Sequence, residues 1–76
     1  MITVKLLAVL KEYAPDDGII EFEFIPGMTV ADAIAKTDVE STAIKYTLLV
    51  NNVRKKTEDI LEDGDTVTVM PQLAGG

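Results

Sequence analysis

The side chains best suited to chemistry near neutral pH are missing from this sequence. Its 76 residues include neither His nor Cys. There is therefore no imidazole base, no thiolate nucleophile and no Ser-His-Asp triad. Disulfides, zinc–thiolate sites and imidazole ligands are excluded on the same ground. A self-contained enzyme would have to work with Asp, Glu, Lys and Tyr. The densest group of these is Glu58, Asp59, Glu62, Asp63 and Asp65. Its spacing does not match the EF-hand calcium loop. A turn with solvated charges is the better reading, and no bound cofactor or metal is expected.

The group that remains belongs to the main chain. The sequence ends in Gly75-Gly76. With Gly at about 7% of residues, a terminal pair arises by chance in roughly 0.5% of chains. A frayed end is the ordinary explanation. The chemical one is that glycine has no side chain, so such an end threads a narrow channel in extended form. It also leaves the Gly76 carboxylate unhindered for chemistry in a partner. Residues 71–76 reach about 20 Å at ~3.3 Å each.

A compact body must present that tail. The length allows one domain, and a chain this short buries only about 60% of its unfolded surface. Apolar residues make up 47% of it, which makes packing without a staple plausible. Ile2, Val4, Leu6, Ala8 and Leu10 alternate, predicting a first strand over 2–10. Pro15, Asp16, Asp17 and Gly18 signal a turn. Ile20, Phe22 and Phe24 alternate with Glu21 and Glu23, predicting a second, antiparallel strand over 19–25. Thr29 and Asp32 have capping-box spacing ahead of a short helix that carries Val30, Ala33, Ile34 and Thr37 on one face and ends near Lys36 or Thr37. Residues 38–45 read as a loop with Ile44 as an anchor. Tyr46–Val50 is a third strand, Asn51-Asn52 a tight turn and Val53–Lys56 a short return. Thr57–Leu61 reads as one helical turn capped by Thr57, and Asp63-Gly64-Asp65 as a turn. Thr66–Met70 is the last strand, ended by Pro71. One helix covering a mixed sheet, with first and last strands parallel neighbours, is the α+β ubiquitin-like β-grasp arrangement. The expected division is a domain over 1–71 and a mobile tail over 72–76.

Two surface features stand apart from the inward pattern. Leu7, Val9 and Met70 lie off the buried register, and on adjacent strands they would form one apolar patch of the kind that meets proteins. Arg54-Lys55-Lys56 is a basic run, either a solvated loop or a docking point for an acidic partner.

The chain resembles the ubiquitin-like sulfur carriers of MoaD/ThiS type, particularly the small subunit of molybdopterin synthase. The resemblance spans nearly the whole chain. It is carried by the Ile2–Ala8 strand, Pro26–Val30 at the helix entry, Val50-Asn51, Asp63-Gly64-Asp65 and Pro71 with Ala74-Gly75-Gly76. It implies that Gly76 is adenylated by an ATP-dependent activating enzyme and converted to a thiocarboxylate. The sulfur then passes to an acceptor on another protein, such as a large synthase subunit, in molybdenum or tungsten cofactor synthesis. Leu7, Met70, Pro71, Leu73, Ala74 and Gly75 are then the partner-binding residues. No side chain of the carrier needs to react, which agrees with the absence of His and Cys.

Related roles stay open at this stage. Carriers for thiamine thiazole synthesis or another sulfur pathway, and protein modifiers forming isopeptide bonds, share the glycine tail. An interaction domain with an incidental tail is a further alternative. The net charge of −6 opposes nucleic-acid binding, which needs clustered cations, and fits basic partners. No apolar run is long enough to span a membrane, and no signal-peptide pattern opens the sequence. A cytoplasmic location is expected.

Overall fold

A computed structural model describes residues 1–72. Five strands form one sheet: β1 (Ile2–Leu6), β2 (Ile19–Phe22), β3 (Tyr46–Val50), β4 (Val53–Arg54) and β5 (Thr66–Pro71). Their order is β2-β1-β5-β3-β4. β1 and β5 are parallel neighbours at the centre, as the sequence predicts. β1–β2, β3–β5 and β3–β4 are antiparallel. Helix α1 (Val30–Ile34) covers one face.

Alternation decides which face is buried. Ile2, Val4 and Leu6 of β1, Leu48 and Val50 of β3, and Val67 and Val69 of β5 point inward and are buried. Val30, Ala33 and Ile34 of α1 close over them, with Met28, Val39 and Leu61 at the margins. The capping box is present: the Thr29 side chain accepts from the Asp32 N–H at 3.3 Å, and the Asp32 carboxylate accepts from the Thr29 N–H at 3.0 Å.

Five expectations are corrected. α1 stops at Ile34, short of Lys36 or Thr37, so Thr37 lies beyond the helix. β1 stops at Leu6 rather than at residue 10. Ala8 takes φ 52, and the chain turns into a 3₁₀ helix over Ala8–Tyr13. Leu10 is buried all the same, so a coiled segment satisfies the same apolar positions that read as strand. β2 ends at Phe22 instead of residue 25, although Phe24 still packs on the core.

The segment after β4 is not a helical turn. The Asp59 and Thr57 carbonyls accept the N–H groups of Val30 and Ala31 at 2.9 Å each, and Thr29 bridges to Ile60. The start of α1 therefore finds its partners in this stretch, and Thr57 caps nothing. Pro71 does not end β5. It pairs with Tyr46, and the Gln72 N–H continues the ladder to the Lys45 carbonyl at 2.8 Å. Bonding between β3 and β5 falls on alternate residues. At Pro71 it is turned away from β3, so the missing proline N–H removes no bond there.

Residues 38–45 are more ordered than a plain loop. Val39–Ser41 form a 3₁₀ turn, Val39 is fully buried, and Ile44 packs against the core as anticipated. The Asn51-Asn52 turn is present with φ 51 and 68.

Candidate functional site

The strand that carries the tail is central in the sheet, flanked by β1 and β3. Its last described residue is held on both its main and side chains. The Gln72 N–H bonds to Lys45, and its Nε2 donates to Thr47 Oγ1 at 3.0 Å. The expected tail of 72–76 is therefore fastened at its first residue. Four residues follow Gln72 in the sequence, and at ~3.3 Å each they span at most about 13 Å. Leu73, Ala74, Gly75 and Gly76, the core of the expected site, lie outside the described residues.

Pro71, Met70 and Leu7 are brought together beside that root. Leu6 is level with Val69 in the parallel pair, and the Leu7 N–H bonds to the Val69 carbonyl at 3.1 Å. Leu7 is extended, with φ −103 and ψ 156. One step past an inward pair, Leu7 and Met70 both face the uncovered side of the sheet. Met70 is 41% exposed, and Thr47 is its partner across β3. The next row, set by the pairings, is Ile19, Lys5, Thr68, Leu49 and Arg54. This outer face is mixed: apolar at Leu7, Met70, Leu49 and Ile19, with cations at Lys5 and Arg54. Val9 does not join it, because it sits in the 3₁₀ helix. Ile19 and Leu49 enter the face through cross-strand pairing, which composition does not reveal.

The acidic cluster resolves into turn chemistry. Asp59 accepts from the Lys56 N–H at 2.8 Å, and Asp65 accepts from the Glu62 N–H and from Asn51 Nδ2, each at 2.8 Å. Asp63 pairs with the Met1 ammonium, whose hydrogen bond and charge hold its carboxyl below the ordinary value of 3.8. Among the described residues no group of acidic side chains is arranged to hold a metal. Nor does any described helix have the length and apolarity to cross a membrane.

Clefts among the described residues include two beside charged side chains. One, of about 460 Å³, lies between Ile25–Met28 and Asp32, Ala35 and Lys36, where the Asp32 carboxylate is occupied by the cap. The other, of about 530 Å³, runs from Tyr46–Leu48 to Arg54–Thr57 and Gln72. Burial raises the Tyr46 phenol above its ordinary 10.0, with a further contribution from the Glu40 charge.

No family model and no curated protein matches this chain. Solved structures do. Small archaeal modifier protein 1 of Haloferax volcanii superposes with a TM-score of 0.77 at 20% identity, over 95% of this chain and 97% of that one. A second structure of that protein gives a TM-score of 0.78 at 19% identity, over 99% and 98%. A chain of the Amycolatopsis orientalis BexX/CysO complex gives 0.73 at 22% identity, over the full length of both. Strand order, parallel centre and these superpositions agree: the chain has the ubiquitin-like β-grasp fold that its sequence resemblance implies.

Proposed function

We propose that this protein is a ubiquitin-like sulfur carrier whose reactive group is the Gly76 carboxylate. The observation that carries the reading is the Gly75-Gly76 pair, three and four residues beyond Gln72, which itself follows a central strand of a β-grasp sheet. An activating enzyme joins the carboxylate to the AMP part of ATP and releases pyrophosphate. A sulfide-level donor then displaces AMP and leaves a thiocarboxylate. The first step is needed because a free carboxylate would have to expel oxide. The body contributes the Leu7–Met70 face, which gives a partner something to grip while the tail enters its active site. Activating enzyme and sulfur acceptor are separate proteins in this scheme. The likeness to CysO, crystallised as a BexX/CysO complex, supports a carrier that works on a partner. The pathway we favour is synthesis of molybdopterin cofactor in the cytoplasm, on the sequence resemblance, with Pro71, Leu73, Ala74 and Gly75 lining the partner channel.

Intact mass of the protein from its native cell tests the proposal. The expected result is a chain ending at Gly76 with one terminal oxygen replaced by sulfur, lost when Gly76 is deleted. An unchanged mass in the presence of activating enzyme, ATP and a sulfur source overturns it. A second reading is supported by the likeness to small archaeal modifier protein 1: Gly76 joined to lysines of other proteins by isopeptide bonds. Heavier species that survive reducing agents would mark that role, whereas a thiocarboxylate alone would not produce them.

A further inference from the structure

The second cleft combines an open strand edge with segregated positive charge. β4 is only two residues long, so it covers β3 only near Leu49 and Val50. The bonds from Gln72 to Lys45 and from Asn51 to Thr66 fix the alternation along β3. They turn the N–H and C=O of Tyr46, Leu48 and Val50 away from β5. The Leu48 carbonyl is taken by the Lys55 N–H at 3.0 Å. Tyr46 lies beyond that last bond, and its N–H and C=O have no partner across the cleft among the described residues. An edge of this kind is a template for an added strand.

Charge selects what is added. The protein carries −6 overall, yet the charged side chains lining this cleft are Arg54, Lys55 and Lys56, and Glu40, whose charge reaches Tyr46, lies outside the lining. None of the three is in an ion pair among the described residues. The opposite free edge, β2, is unsuited to the same visitor because Glu21 lies on it and Glu23 follows. The cleft also includes Gln72, so whatever occupies it sits at the root of the tail.

We propose that this cleft receives an extended acidic segment of a partner protein, which pairs as a short strand with Tyr46 and sets its carboxylates against Arg54, Lys55 and Lys56. The inference does not depend on sulfur chemistry, so the Gly76 deletion is expected to bind as the intact chain does. The test is a titration of the isotope-labelled full chain, read by amide shifts, with a synthetic peptide alternating Glu and Val. Saturable shifts at Tyr46, Lys55 and Lys56 are expected. Affinity should fall as salt rises, and by about 10-fold or more in Arg54→Glu/Lys55→Glu/Lys56→Glu. Should that variant lose its folded spectrum, Lys55→Gln/Lys56→Gln gives a smaller loss in the same direction. Methylating the peptide nitrogens on one edge should weaken binding further, which a purely ionic contact would not do. The proposal is overturned by an absence of saturable shift at Tyr46, or by equal binding of a Lys-Val peptide. Equal shifts from inorganic phosphate or oligouridylate also overturn it, since they would mark a general anion site.

Discussion

Gly18 shows how little freedom some single residues have here. It has φ +86, and a Cβ there would lie 2.7 Å from the Leu6 carbonyl and 3.0 Å from Lys11 Cα. Both neighbours are backbone, so relief requires moving β1 or the 3₁₀ helix. Gly18→Ala should cost about 2–4 kcal/mol in urea denaturation. Gly64 has φ +91 but nothing within 4 Å of its virtual Cβ, so Gly64→Ala should cost only about 1 kcal/mol. Asp63 supplies an acid-range signature. Its carboxyl is lowered below 3.8 by the Met1 ammonium. Its contribution to stability is therefore present above that ordinary value and is lost as pH falls through the lower folded value. Acetylating the amino terminus should remove this part of the acid-unfolding curve. A curve unchanged by acetylation would show that the pair contributes nothing.

At the scale of elements, short pieces are held by specific local chemistry. α1 has only five residues, too few to form by propensity alone. It depends on its cap, on the Asp59 and Thr57 carbonyls and on burial of Val30, Ala33 and Ile34. Thr29→Ala should cost about 1 kcal/mol, read from the denaturation midpoint at constant slope. The Asn51-Asn52 turn divides its labour. Both residues have positive φ, but Asn51 also accepts from the Thr66 N–H at 3.0 Å and donates to Asp65. Asn52→Gly should be neutral or stabilise by up to ~1 kcal/mol. Asn51→Gly should destabilise by about 1 kcal/mol, because it gives up those bonds. Capping box and turn were legible because each has a local signature. The end of β1 was not: the alternation of apolar positions runs on through Ala8 and Leu10, while alanine carries no mark of the left-handed conformation that breaks the strand.

At the scale of the whole molecule, the outer face with Leu7 and Met70 lies beside Pro71 and Gln72. If Leu7 and Met70 are the grip of a partner, Leu7→Arg and Met70→Arg should leave the melting midpoint nearly unchanged, since neither is in the core. Both should lower adenylation of Gly76 by the activating enzyme by about 10-fold or more, a typical loss for a central apolar contact. A large fall in stability with unaltered adenylation would reverse that assignment. The sheet also limits the tail. Gln72 is fastened to Lys45 and Thr47, and the four residues after it in the sequence span at most about 13 Å at full extension.

The sequence alone set the expected class of chemistry and determined most of the strands. Missing side-chain types are a property of composition, so the absence of His and Cys directs attention to the main-chain carboxyl whatever the fold. The order of apolar and polar residues likewise specifies which face of each strand is buried. Tertiary structure decided what depends on pairing between distant segments. Leu7, Met70, Ile19 and Leu49 share a face through register, and Thr57–Leu61 supports the start of α1 instead of forming a helix. Pro71 stays in its strand because its nitrogen is turned away from β3. The open edge at Tyr46 beside Arg54–Lys56 exists only because β4 is so short. Each of these rests on contacts between residues far apart along the chain, and a local pattern carries no record of its partner.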